Sequence, residues 1–343
     1  MCTAISLTTK NHYFGRNLDL DRSYGEEVCV MPRGFPLIFR KAERKERHYA
    51  IIGMATVVDK DEKQSYAEYG GLPLFYDATN EHGLSAAGLN FPKNAYYPPC
   101  QSDLTENKNE EKKSVAPFEF IPWILCQCKN LTEVKELLKN TVIADIDFSL
   151  GLCATPLHWM ISDKNGDTVV ESTRKGLFVY DNASGVLTNN PPFEIQLENL
   201  RKYSDLTSEY KEIAEEKDPP YASASYGLGA LGLPGDPSSS SRFVRAAFVR
   251  KNSVSENDEL SSVGQFFHLL SSVEAPKGIC KNERGALHFT RYSSCVNTDL
   301  GLYYYTTYEN RRITCVDMHK TDLDGEKLCR HRLLERQSVE YQN

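Results

Sequence analysis

The sequence predicts an α+β fold in which antiparallel sheets are covered by helices. Three observations carry this reading. Strand-type segments come in runs, an Asn-Gly turn joins one pair of them, and the fewer helix-type segments fall between the runs. Cys2–Thr8 is β-branched and alternating, and a turn near Lys10 and Asn11 makes it the first arm of a hairpin. Residues 49–56 and 84–90 read as further strands. Residues 118–128 are apolar over a wide face and predict a helix; Thr132 is the expected cap of a second over 133–139, where Val134, Leu137 and Leu138 keep helical spacing. Residues 157–162 and 168–172 flank Lys164-Asn165-Gly166-Asp167, a hairpin signal, and 176–180 and 185–188 extend the meander. Helices are expected over 241–251 and 262–273, and strands over 288–294, 301–307 and 312–318. Residues 60–69 and 102–114 are charged and aperiodic and read as solvated loops; 215–225, with Pro219 and Pro220, is irregular. Nothing repeats, so residues 1–343 are expected to form one domain.

Composition removes several functions. The 343 residues carry 47 acids against 40 bases, a net charge of −7. Nucleic acid is therefore not the expected partner, because phosphate binding needs a basic face. No apolar run approaches the roughly 20 residues of a membrane span. The start of the chain has no basic region, no apolar core and no small-residue cleavage site, so a cytoplasmic protein is expected. The ten cysteines form no C-x-x-C pair and are expected to be free, mostly buried thiols. Cys126 and Cys128 lack a second ligand pair, and neither a metal nor a cofactor is expected. Gly227 to Gly232 spells G-x-G-x-x-G, but Pro234 and Gly235 break the helix that a dinucleotide site requires. Ser172-Thr173-Arg174-Lys175 matches S-x-x-K at a strand end, without that motif's partners. His158 and His268 lie in apolar surroundings and read as satisfied structural residues.

The second residue is the chemically informative one. Removal of the initiator methionine favours a small following residue, so the mature chain is expected to begin at Cys2. A thiol and an α-amine on one residue combine a nucleophile with a base that titrates near neutrality, about pH 7.7–8.0. A hairpin return through Tyr13-Phe14-Gly15-Arg16-Asn17-Leu18-Asp19 brings Arg16 and Asp19 back to the chain start. Arg16 would favour a thiolate and Asp19 would orient an amine; a surface ion pair explains either residue equally well.

These residues resemble the choloylglycine hydrolase family of N-terminal-nucleophile hydrolases. The likeness runs in order through 80–84 (NEHGL), 88–92 (GLNFP), 157–160 (LHWM), 186–191 (VLTNNP), 232–236 (GLPGD), Ser241-Arg242-Phe243 and 303–310 (YYYTTYEN). It implies a four-layer αββα sandwich, two antiparallel sheets between helix layers. It implies Cys2 as nucleophile, Arg16 against the sulfur, Asp19 against the amine, Asn90 and Asn189 as oxyanion-hole and positioning asparagines, and Arg242 as a second active-site arginine. Each asparagine would otherwise be a turn residue, and Arg242 a surface cation. Asn90 stands where the penicillin V acylase branch often has tyrosine, which leans toward bile salt hydrolases of Gram-positive gut bacteria. The implied substrates are glycine- and taurine-conjugated bile acids. Penicillin V, N-acyl homoserine lactones and acyl transfer to amino acids are the alternatives on the same scaffold. A binding module on a disabled scaffold is the non-enzymatic alternative. Leu18, Val58, Phe148 and Leu152 fall on the implied apolar wall, though each suits a plain core. The stretch 60–71 reads as an extra loop bordering that wall. A homo-oligomer, as a tetramer, is also implied.

Overall fold

The computed structural model describes residues 1–58, 66–100, 112–148, 154–211 and 226–343. Its strands and helices are, in chain order, β1 (Cys2–Thr8), β2 (His12–Leu20), β3 (Glu26–Met31), β4 (Ile51–Val58), β5 (Leu72–Asn80), β6 (Ser85–Asn90), β7 (Lys113–Val115), α1 (Phe120–Leu125), α2 (Leu131–Lys139), β8 (Thr141–Ile143), β9 (Leu157–Asp163), β10 (Gly166–Thr173), β11 (Gly176–Asp181), β12 (Val186–Leu187), α3 (Phe193–Arg201), α4 (Ser239–Lys251), α5 (Glu259–Ser271), β13 (Phe289–Asn297), β14 (Leu302–Thr307), β15 (Thr314–Asp317) and β16 (Cys329–Arg332).

Two antiparallel sheets face one another. One has the strand order β12-β1-β2-β13-β14-β15 and the other β11-β10-β9-β6-β5-β4-β3-β16. Helices α4 and α5 cover the outer face of the first, and α1 and α2 that of the second. This is the expected αββα sandwich, and it follows from pattern: the central strands are apolar on both faces, so each sheet needs a layer on either side. Between the sheets lie Ala4, Phe14, Val30, Ile52, Met54, Ala87 and Met160, all fully or almost fully buried. A second core under α1 and α2 gathers Phe35, Ile51, Trp123, Ile124, Val134 and Trp159.

The β1–β2 hairpin turns over 9–11, where the Thr9 N–H donates to the Asn11 carbonyl at 3.0 Å. The Asn-Gly hairpin is also present, but its two central residues are Lys164 and Asn165, and Gly166 already pairs with Asp163. Several expectations need correction. Asn130, not Thr132, caps α2: its side chain accepts from the Glu133 N–H at 3.0 Å, while the Glu133 carboxylate accepts from the Lys129 N–H at 2.7 Å. The Asn130 side chain thus satisfies a first-turn donor, and the Glu133 carboxylate ties down the N–H of the residue that precedes the cap. Residues 60–69 are not wholly a solvated loop. Tyr66 is buried, stacks on Phe35 at 5.7 Å and exchanges hydrogen bonds with the backbone of Ile38. The stretch 102–114 ends in β7, which pairs parallel with β8. Residues 59–65, 101–111 and 215–225 lie outside the described residues. Of the ten cysteines, the nine described are free thiols, six of them buried, and Cys153 falls outside.

Candidate active site

Strand register builds the site. Antiparallel pairing sets Cys2 opposite Leu18 and Ala4 opposite Arg16. Directly paired residues share a face, and successive residues alternate. Cys2, Leu18 and Arg16 therefore project toward the other sheet, while Thr3 and Asp19 project toward the α4–α5 layer. The thiol and the aspartate thus flank the chain start from opposite sides of one sheet.

On the inner side Arg16 is fully buried. Its Nη1 donates to the carbonyls of Tyr76 on β5 at 2.8 Å and Gly88 on β6 at 2.6 Å, so the facing sheet aims it. Its Nε and Nη2 have no hydrogen-bond partner among the described residues. Burial pulls its pKa down, but the Cys2 sulfur, Tyr292 and Asp77 overcome that pull and raise it. Arg16 is a fixed positive charge beside the thiol.

On the outer side Arg242, near the start of α4, is also buried. Its Nη1 donates to the Cys2 carbonyl at 2.5 Å and to Thr3 Oγ1 at 2.6 Å, its Nη2 to Asn189 Oδ1 at 3.0 Å and its Nε to the Pro237 carbonyl at 3.0 Å. Burial lowers its pKa, against the charges of Asp19 and Cys2. Asn189 follows β12, the edge neighbour of β1. Its Oδ1 also accepts from the Cys2 N–H at 2.7 Å, and its Nδ2 donates to the Asn90 carbonyl at 2.7 Å. Two donors on one end and a carbonyl on the other fix the orientation of that amide. The Asn90 side chain is exposed at the end of β6. Asp19 Oδ1 accepts from Thr290 Oγ1 at 2.6 Å, and Oδ2 is buried without a hydrogen-bond partner among the described residues. The Met1 amine donates to the Asp19 carbonyl at 3.0 Å. Met1 is attached, so the Cys2 nitrogen here is a peptide N–H.

The five polar residues singled out alongside Cys2 thus gather around it, Asn90 through its backbone carbonyl. The apolar wall is less concentrated. Leu18 lies beside Cys2 in the register and is buried. Val58 ends β4, half-buried and opposite Leu72. Phe148 packs edge-on against Phe118 at 5.1 Å, with the Arg40 guanidinium 5.8 Å from its ring. Leu152 lies outside the described residues. Sequence reading passed over Thr290, Ser239, which accepts from the Asn189 N–H at 2.8 Å, and Asp77. Only Asp77 had a signal: it is a lone carboxylate inside the strand Leu72–Asn80, where the pattern is otherwise apolar or small.

Comparison with known proteins places this constellation. Residues 2–331 match the choloylglycine hydrolase family of linear amide C–N hydrolases. A protein of Lactiplantibacillus plantarum named bile salt hydrolase/transferase is 46% identical over 96% of this chain and 95% of its own. A protein of the same name from Clostridium perfringens is 37% identical, with both chains fully covered. The crystal structure of a mutant conjugated bile acid hydrolase from Clostridium perfringens superposes with a TM-score of 0.87 at 35% identity, again over both whole chains. Penicillin V acylase from Agrobacterium tumefaciens, at 18% identity and a TM-score of 0.71, shares the fold over 96% of this chain and 90% of its own. With a thiol-bearing second residue held between two buried arginines and a family match spanning nearly its whole length, the chain belongs to the choloylglycine hydrolase family and is an amidase of the linear C–N bond class.

Proposed function

We propose that the chain hydrolyses the amide bond of glycine- and taurine-conjugated bile acids, with Cys2 as the N-terminal nucleophile once Met1 is removed. The observation that carries this is the set of buried charged and amide groups gathered on Cys2, in a family of linear amide hydrolases. The freed α-amine takes the thiol proton, and the sulfur attacks the amide carbonyl carbon. Arg16 stabilises the thiolate before attack. Asp19, with one buried oxygen open, holds the ammonium that forms. The carbonyl oxygen becomes an oxyanion and needs a donor aimed at it. The exposed Asn90 amide supplies it, while Asn189, engaged on all sides, acts as a positioning residue. The ammonium returns its proton to the leaving nitrogen, and glycine or taurine departs from a Cys2 thioester. Water, deprotonated by the same amine, then releases the bile acid. Leu18, Val58, Phe148 and Leu152 are proposed for the apolar wall that takes the steroid.

The test is Cys2→Ala, which should abolish release of glycine and taurine with the fold intact by circular dichroism. A turnover-competent sample whose mass shows Met1 still attached would overturn the mechanism. Rates on taurocholate, glycocholate and penicillin V separate the bile acid reading from the acylase reading. The relatives named hydrolase/transferase favour one addition: a thioester open to amines. Excess amino acid should then yield new bile acid conjugates, detected by mass spectrometry. We also propose assembly as a homotetramer, checked by light scattering, and a cytoplasmic location, checked by cell fractionation. Among the described residues no helix is long and apolar enough to cross a membrane.

A further inference from the structure

We propose that Asp77 is a positioning residue of the reaction, a buried countercharge that holds Arg16 against the Cys2 sulfur; this rests on the reading of Cys2 as nucleophile. Asp77 sits on β5 and reaches across the gap between the sheets. Tyr292 on β13 donates to its Oδ1 at 2.6 Å, and Tyr303 on β14 and Ser294 on β13 donate to its Oδ2 at 2.5 and 3.1 Å. All four residues are buried, Asp77 at 2% exposure. A carboxylate so enclosed is costly unless charge and hydrogen bonds compensate it.

Burial pushes the Asp77 pKa up, and the nearby Arg16 charge, with the three hydroxyl donors, opposes that push and favours the carboxylate. Ser294 bridges the two residues through the main chain: its hydroxyl accepts from the backbone N–H of Arg16 at 3.2 Å while donating to Asp77 at 3.1 Å. The carbonyl preceding Asp77, that of Tyr76, is itself a ligand of the guanidinium. Tyr76 has no residue opposite it in the β4–β5 register, which shifts there between Met54 opposite Asp77 and Ala55 opposite Phe75. One local irregularity thus places a carbonyl and a carboxylate around one arginine. The groups facing Arg16 are Cys2 from β1, Asp77 from β5 and Tyr292 from β13. Arg242 from α4 faces Cys2 from the other side of the sheet. When Cys2 carries an acyl group its sulfur is neutral, and Asp77 is then the remaining carboxylate balancing Arg16. It holds the guanidinium in place through both half-reactions.

The test uses the full-length processed enzyme and the variants Asp77→Asn and Tyr303→Phe. Asp77→Asn keeps the shape and removes the charge. The first measurement is the pH dependence of Cys2 alkylation by iodoacetamide, with the modified peptide quantified by mass spectrometry so that the other thiols do not contribute. Without the opposing negative charge, Arg16 acts unbalanced on the sulfur. The acidic limb should move down by about one pH unit in Asp77→Asn and by less in Tyr303→Phe. Per folded active site, kcat should fall about tenfold with KM little changed, because Arg16 is less well held. If Asp77→Asn loses thermal stability but keeps the parental alkylation profile and kcat per active site, the residue is structural and the proposal fails. If Asp77→Asn does not fold, Tyr303→Phe decides by the same profile. Activity surviving in Cys2→Ala would instead sink the nucleophile reading, so the two failures are told apart.

Discussion

Arg242 shows how much one side chain does at this site. A guanidinium presents five donors in a planar fork, and four partners here use that fork: two carbonyls, a hydroxyl and an amide oxygen. An ammonium at the same place keeps the charge and loses the span. Arg242→Lys should therefore lower kcat/KM about a hundredfold, with the fold retained and little gain from added guanidine-free salt. The measurement is steady-state release of taurine; activity within threefold of the parent would show that the charge alone suffices. Cys2, Arg16 and Asp19 were legible from residue chemistry and the hairpin return, whereas Asn90, Asn189 and Arg242 were legible only through the resemblance to the family, since alone each suits a turn or a surface cation. Asp77 was not singled out, since its role depends on hydroxyls more than 200 positions away.

Among the elements, the β1–β2 hairpin carries four of the residues proposed for the reaction: Cys2, Arg16, Leu18 and Asp19. Its register sets Arg16 two pairs along from Cys2 and on the same face, and a one-residue slip would move Arg16 to the opposite face. Gly15 guards that register. A Cβ built there would lie 1.9 Å from the Ser294 carbonyl oxygen on β13, with no flexible side-chain end to give way. Gly15→Ala should destabilise the fold by about 2–3 kcal/mol and depress activity as β2 shifts from β13. Urea unfolding checks this, and an unchanged midpoint would contradict it. The hairpin was readable because β1 alternates and its turn residues are local. α3 was not, since only Phe193 and Gln196 of its nine residues are buried and Pro192 stands at its N-cap. β16, CRHR, lacks an apolar pattern; it is held by pairing with β3 and by the Arg330–Glu27 ion pair. α5 starts at Glu259, earlier than 262, because the Asp258 carboxylate accepts from the Ser261 N–H at 3.0 Å.

At the scale of the molecule, the two sheets are pinned by buried polar links as well as by apolar packing. Away from Cys2, His12 on β2 bonds Ser162 on β9 at 2.7 Å and Thr8 on β1 at 2.9 Å. Burial lowers its pKa from 6.5, against Asp167, Asp299 and Asp163 and with the help of Arg250. His48, held between the carbonyls of Phe35 and Tyr49, is lowered by burial too. A histidine with a depressed folded-state pKa binds fewer protons folded than unfolded. Its contribution is complete above pH 6.5 and declines as the pH falls through that value toward the lower folded one. Stability should therefore fall as the pH drops below about 6.5, and His12→Gln should flatten that slope. Denaturant unfolding at several pH values measures it; an unchanged slope would remove His12 from the account.

The sequence by itself determined the α+β class, the β1–β2 hairpin, the family and the identity of Cys2 and the five polar residues around it. These are written in alternation, turn chemistry and ordered motifs, all of which are local. The tertiary structure decided which of those residues touch, that Asn189 is engaged on every side while the Asn90 amide stays exposed, and that Asp77 stands behind Arg16. Those facts depend on how the facing sheets lie over one another. That placement comes from contacts between segments far apart in the chain, which no local pattern encodes.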